Sequence, residues 1–336
     1  MMAGLSYTSI NQTRMATGEV YCQTLIELAK ENPRIVALTA DLGKSSKIGE
    51  FMKQFPERFY QFGIAEQNMM GAAAGMAKAG LIPFTSSFAI FTACRALDQV
   101  HTDICYQNVN VKMIASHAGT SFGQAGTTHH STEDIAIMRS LANLTVIVPA
   151  DGIETANAVE AAVEHEGPVY IRINRGYDQQ VYETMDYGYE IGRAVTLHEG
   201  SDVTIIACGS AVFQALQAAR ELDAVYQIKA RVLDMHTIKP LDKAAVLKAV
   251  KDTRRIITAE DHTVIGGLGG AVAEVIAESG MATAFRRLGL QDKFSPIGLH
   301  EDLMAHHGID TNGIVNSVRE LMQLDFEEDL DWEDEV

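Results

Sequence analysis

A chain of 336 residues, 47% of them hydrophobic, carries enough apolar material for two ordinary domains with real cores. Its formal net charge of −17 argues against nucleic acid or an anionic membrane as a main partner. No apolar run approaches membrane-spanning length, and the start lacks the basic-then-apolar layout of a signal peptide, so a soluble cytoplasmic protein is expected.

Strand-like apolar runs alternate with helical stretches along the first half. Strands are expected over 35–39, 59–62, 82–86, 111–116, 145–148 and 169–173, with helices over 16–32, 68–79, 93–107, 132–140 and 153–165. That alternation implies a parallel, doubly wound sheet. Residues 177–192 are rich in Tyr, Asp and Gly without clear period and read as a linker. The pattern then restarts with strands over 203–208, 229–235 and 255–259 and a helix over 211–222, giving a second α/β domain. The division is therefore 1–180, 193–324 and a tail over 325–336, in which eight of twelve residues are Asp or Glu. Such a tail reads as a solvated end. Together with the Met1-Met2 start it gives the chain the look of a whole gene product. The four cysteines, Cys22, Cys94, Cys105 and Cys208, form no CxxC pair and read as free thiols of a reducing compartment.

Open parallel sheets bind ligands beyond the carboxyl ends of their strands. Asp41, Glu66, Phe88 and His117 each follow a predicted strand within a few residues, so they are expected along one edge of the first domain. Glu66 lies in Gly63-Ile64-Ala65-Glu66-Gln67-Asn68, at the mouth of an Ala-, Gly- and Met-rich helix. Desolvation there disfavours the charged form, which suits a carboxyl group that holds and passes a proton. The plainer reading is an acid in a first helical turn, where the helix dipole favours it. Phe88 and Phe91 share a face if their segment is helical, and such a pair either packs a core or sandwiches a flat heterocycle.

The loop from His117 to His130 is Gly-rich, and loops of that kind lie at the surface. Its histidines suggest hydrogen bonding and proton transfer to a polyhydroxy substrate, since no Cys or acid stands at zinc-ligand spacing. Arg172 and Arg175 flank a strand end, where they suit a phosphate or carboxylate fork or, equally, a surface ion pair. Gly266 to Gly270 is out of register for a dinucleotide loop and reads as a close turn into a helix. His262 before it is either functional or a plain loop residue.

Taken together, these residues resemble the second half of a transketolase. The matching stretches are Ala40-Asp41-Leu42, GIAEQNM from Gly63, PFTSSFAIF from Pro83, SHAG from Ser116, PADGIE from Pro149 and TIKPLD from Thr237. They run in family order over nearly the whole chain, and the GIAEQ motif with the spaced aromatics and the His loop is specific. The resemblance implies a thiamine-diphosphate pyrimidine-binding domain followed by a transketolase C-terminal domain. Glu66 then matches the glutamate that hydrogen-bonds the cofactor's aminopyrimidine and prepares the thiazolium carbon to lose its proton. Phe88 and Phe91 resemble the platform for the pyrimidine, and Asp41 the acid near the cofactor and interface. His117 resembles the histidine at the donor's hydroxyl and carbonyl end. Arg14, Ser45, His129 and Arg175 resemble the grip on a sugar phosphate.

Two departures bear on function. Ala125 stands where the family usually has an Asp that bonds a substrate hydroxyl. A polar group matched to a hydroxyl is a strong selector, so its loss opens the site to an unusual or branched ketose phosphate. Cys94 likewise replaces a frequent aromatic in the pyrimidine pocket. The second departure is the missing Gly-Asp-Gly…Asn motif that binds the metal and diphosphate. The expectation is therefore one half of a split enzyme. The diphosphate and its Mg²⁺ (or Ca²⁺) sit on an N-terminal, diphosphate-binding transketolase subunit, and two halves of each kind form a heterotetramer. The competing readings are a deoxyxylulose-phosphate synthase-like subunit, a 2-oxo-acid dehydrogenase β-type subunit, and a non-catalytic relative.

Overall fold

The computed structural model describes residues 14–323 of the chain; the acidic tail over 325–336 lies outside them. In chain order the strands are β1 (Arg14–Ala16), β2 (Ile35–Thr39), β3 (Phe59–Gln61), β4 (Ile82–Phe88), β5 (Lys112–Ser116), β6 (Thr145–Ile147), β7 (Val169–Arg172) and β8 (Tyr177–Gln179). Then follow β9 (Val195–His198), β10 (Val203–Ala207), β11 (Ala230–Asp234), β12 (Thr237–Lys239), β13 (Arg255–Thr263) and β14 (Ala284–Leu290).

The first sheet has seven strands in the order β12-β6-β7-β5-β4-β2-β3, all parallel except β12. The second has five, β14-β13-β10-β11-β9, parallel except for the edge strand β9. Two doubly wound α/β domains result, as the alternation of elements predicts. Strands β2, β4 and β5 are buried at every residue, which is why they read as continuous apolar runs rather than alternating ones. The edge strand β3 is short and largely exposed, which leaves little unpaired backbone for another chain to pair with. Helix Thr17–Glu31 buries Val20, Tyr21, Thr24, Leu25 and Ile26 on one stripe and packs against helix Gly152–Glu164. Among the described residues no helix is long and apolar enough to cross a membrane.

Three sequence expectations need correction. The helix expected over 93–107 is two π-helical stretches, Phe91–Arg95 and Val100–Cys105, around a short α-helical piece, Leu97–Gln99. A π-helical turn differs from an α-helical one by a single residue in its hydrogen-bond spacing, which alters the apolar spacing too little to betray it. The linker over 177–192 is not loose. Strand β8 in it pairs antiparallel with β1, and Tyr182 and Tyr187 stack 3.9 Å apart and pack onto the second domain's core. Asp151, the N-cap of helix Gly152–Glu164, anchors this segment by accepting from the Val181 and Tyr182 amides at 2.8 and 2.9 Å. Finally, the second stretch of sequence is not confined to its own domain. Strand β12 crosses over to become the edge of the first sheet, antiparallel to β6. Strands β9, β12 and β14 escape the sequence reading because β9 and most of β14 are only partly buried and β12 is three residues long.

Candidate functional site

Strands β3, β2, β4, β5 and β7 lie side by side and parallel, so their carboxyl ends open on one edge. Glu66 follows β3, Asp41 follows β2, Phe88 closes β4, His117 follows β5, and Arg175 follows β7. Asp41 and His117 both hold left-handed backbone, with φ of 59° and 60°. A non-glycine residue in that region costs on the order of 1 kcal/mol or more, and such strain gathers where a side chain must be aimed. The His117 turn directs its ring onto Phe88, with centroids 3.8 Å apart, while Nδ1 lies 3.0 Å from the Ser116 hydroxyl.

Around that pair an aromatic cluster forms. Phe88 and Phe91 stack at 5.5 Å, and Phe122 meets His117, Phe88 and His129 edge-on at 5.0, 5.8 and 5.7 Å. The π-helical turn carries Phe91 at its first position and Arg95 at its last. His117 is buried and its imidazole is pushed down to about 3, by burial first and then by the charges of Arg175 and His129. It is a neutral ring at physiological pH, fit to donate and accept hydrogen bonds rather than to carry charge.

Beside the cluster lies a cavity of about 640 Å³. Its lining combines the rings of Phe88, His117 and Phe122 with the polar side chains of Lys44, Ser45, Lys47, Asn174 and Arg175. The Arg175 guanidinium sits 4.7 Å above the Phe122 ring. Glu19 also lines the cavity and pairs with Lys47 at 3.1 Å, so the lining of three cations and one acid keeps a positive balance that suits a ligand with an anionic tail. Ser45 and Arg175, singled out in the sequence, both line this cavity, whereas Lys44, Lys47, Asn174 and Phe122 are lining residues the sequence reading passes over. Phe122 had a signal, since it lies within the singled-out loop. Arg14 belongs to β1 by its backbone, and its side chain is outside the description. Asp41 is exposed and does not line this cavity. Ala125 ends a 3₁₀ turn, Gly123–Ala125, between Phe122 and His129. Cys94 is exposed within the same π-helical turn as Phe91.

Glu66 departs from expectation in one respect. It opens helix Glu66–Lys78 and is buried to 1% exposure, as an apolar setting requires, but it is not alone. Nη1 of Arg95 reaches both of its carboxylate oxygens at 3.0 Å.

The His loop is not a free surface loop either. His130 is buried, with Nε2 3.2 Å from the Gly123 carbonyl, so its role is internal packing. Asp261 of β13 accepts from the Thr120 amide and hydroxyl at 2.8 and 2.9 Å. A Cβ on Gly119 would stand 2.1 Å from the Asp261 carboxylate, so only glycine permits this approach. Arg172 is neither a ligand fork nor a surface pair. It is buried, bonded to Asp134 at 2.8 Å and to the carbonyls of Ser131 and Asp261 at 3.1 and 2.8 Å. The second domain thus holds the loop that carries His117 and His129. Gly266 to Gly270 leads into helix Leu268–Ser279, as read, with the Glu260 carboxylate accepting from the Leu268 and Gly269 amides. His262 is buried against the Thr263 carbonyl and the Ala136 amide, a packing role.

Comparison with known proteins agrees with this architecture. Residues 13–178 match the model of the transketolase pyrimidine-binding domain, and residues 192–314 that of the transketolase C-terminal domain. A putative transketolase C-terminal section of Methanocaldococcus jannaschii is 43% identical, over 90% of this chain and 95% of its own. An apulose-4-phosphate transketolase subunit of Phocaeicola vulgatus is 38% identical, over 92% and 98%. A 6-deoxy-6-sulfo-D-fructose transketolase subunit of Clostridium sp. strain MSTE9 is 41% identical, over 91% and 94%. A solved split-gene transketolase, described as an inactive β4 tetramer, superposes with a TM-score of 0.83 at 44% identity, covering 92% of this chain and 99% of that one.

Proposed function

The chain belongs to the transketolase family, and we propose that it is the pyrimidine-binding half of a two-chain enzyme that moves a two-carbon ketol unit between sugar phosphates. The observation that carries this reading is the gathering of buried Glu66, the Phe88–Phe91 stack and neutral His117 at one sheet edge, beside a cation-lined cavity. In this reading the pyrimidine-binding domain is 1–180 and the C-terminal domain 193–324.

The residues present fit the aminopyrimidine end of thiamine diphosphate. Phe88 and Phe91 offer ring faces for a flat heterocycle, and Glu66 offers a carboxyl group for a ring nitrogen. When bound, the cofactor supplies a carbon nucleophile and the electron sink for the transferred fragment. Glu66 holds or releases a proton at the ring nitrogen it contacts. His117 hydrogen-bonds the carbonyl and hydroxyl end of the donor, where an uncharged ring can serve as donor or acceptor. Lys44, Ser45, Arg175 and His129 draw in and orient the far phosphate, with Arg14 as a further member and Asp41 at the cofactor-facing interface. The diphosphate and its Mg²⁺ or Ca²⁺ belong to an N-terminal transketolase subunit, in a heterotetramer of the cytoplasm. The free, mostly buried thiols accord with a reducing compartment.

Ala125 supports a donor outside the familiar pentose and heptose phosphates, and two relatives carry names for unusual ketose derivatives. The test is reconstitution with a chain bearing the Gly-Asp-Gly…Asn motif, assayed on a panel of linear and branched ketose phosphates. Ketol transfer that needs both chains and thiamine diphosphate is the expected outcome. Turnover only with pyruvate as donor would replace this reading with a synthase, and no turnover with any donor would remove it.

A further inference from the structure

Arg95 makes the two contacts that a bound aminopyrimidine would need. Its Nη1 bonds both oxygens of Glu66, and its Cζ lies 4.1 Å from the Phe91 ring centroid. A guanidinium is planar, donates hydrogen bonds and stacks on aromatic faces, so it can stand in for a flat nitrogen heterocycle at such a site. Glu66 is fixed, at 1% exposure on the first turn of its helix, whereas the Arg95 side chain is 44% exposed. Of the two, only Arg95 has open solvent to move into. The π-helical turn sets the contact by bringing Phe91 and Arg95 together at its two ends.

We propose that Arg95 is an internal occupant of the pyrimidine site, which the cofactor must displace from Glu66 and Phe91 before it can bind. The inference rests on the reading of Glu66 and Phe91 given above. In the partner-free chain the site is closed by its own side chain. Displacement exposes the guanidinium to water and leaves Glu66 in an apolar setting. There, a hydrogen bond with a ring nitrogen replaces the lost ion pair. Competition of this kind lowers the apparent affinity by the fraction of chains in which the site is open.

The test uses the full chain without partner and a neutral probe, 4-amino-5-hydroxymethyl-2-methylpyrimidine, titrated by calorimetry. Arg95→Ala is expected to bind the probe at least fivefold more tightly than the native chain. Arg95→Lys, which keeps charge but loses the planar fork, should fall between them. Glu66→Gln should weaken the probe in the Arg95→Ala background, because the contact itself is then altered. Equal affinities for the native chain and Arg95→Ala, both weakened by Glu66→Gln, would overturn the occupant while leaving the site assignment standing. Affinities indifferent to Glu66→Gln in every background would overturn both. A far-ultraviolet melt of each variant confirms that it is folded before its affinity is read.

Discussion

The imidazole of His117 lies nearly parallel to the Phe88 ring, with centroids 3.8 Å apart and 25° between the planes. One strand ends in each residue's immediate neighbourhood, and β4 pairs with β5 in a register that sets Phe88 opposite Ser116. The left-handed turn at His117 then rotates its ring back over its neighbour strand. The stack therefore follows from register plus one strained residue.

That enclosure makes His117 neutral over the working range. Its value lies near 3 against an ordinary 6.5, lowered by burial, Arg175 and His129. Because the folded value is depressed, the stability tied to this group is fully present above pH 6.5 and is lost as pH falls through about 3. Proton-detected NMR of the ring should show no titration of His117 between pH 5 and 8. Removing the neighbouring charge with Arg175→Gln should raise its midpoint. A native midpoint near 6.5 would contradict the burial argument.

Glu66→Gln should lower ketol transfer by the reconstituted pair by at least 10²-fold, the usual scale of a lost acid–base group. Assembly should be intact, since the amide is nearly isosteric, and analytical ultracentrifugation would show it. Unchanged turnover would withdraw Glu66 from the chemistry.

Arg172 and Asp134 form an ion pair in which both side chains are buried. Arg172→Met leaves Asp134 with the Tyr170 hydroxyl but without its cation, and takes one donor from each of the Ser131 and Asp261 carbonyls. Loss of one partner of such a pair costs about 3–5 kcal/mol. Urea unfolding should register that loss, and a change under about 1 kcal/mol would mean that water replaces the guanidinium.

Asp234 at the end of β11 accepts from the Tyr182 hydroxyl at 2.7 Å, close to Glu154 from the first domain. Burial pushes Asp234 up to about 7 from 3.8 and drives Glu154 upward as well. A raised folded value means that the stability is fully present below pH 3.8 and declines as pH rises through about 7. Stability measured from pH 4 to 7 should therefore include a downward component that Asp234→Asn removes, at most about 1.4 kcal/mol per pH unit for one proton. Parallel pH profiles for the native chain and Asp234→Asn would mean that Asp234 is charged throughout.

The candidate site residues were legible wherever local pattern and position coincide. Phe88 ends and His117 follows apolar runs that read as buried parallel strands, and such strands end on a common edge, whereas Glu66 follows the short, exposed β3 and was legible from its place at the mouth of an Ala-, Gly- and Met-rich helix. Arg95 was not legible, because an arginine on an expected α-helix reads as a solvated face and a π-helical turn has no distinct spacing. Lys44 and Lys47 were hidden for a similar reason, since exposed lysines in a turn carry no pattern of their own.

By itself the sequence determined the two-domain α/β layout and the sheet edge at which the candidate residues gather, because strand burial is written in hydrophobic periodicity and strand direction in the alternation of strands with helices. Only the tertiary structure decided what each charged group touches. It brought Arg95 onto Glu66, Arg172 onto Asp134, Thr120 onto Asp261 and the linker tyrosines toward Asp234 and Glu154. Those partners lie between 29 and 141 positions apart. Electrostatic pairing depends on distance in space, and no local pattern along the chain encodes that distance.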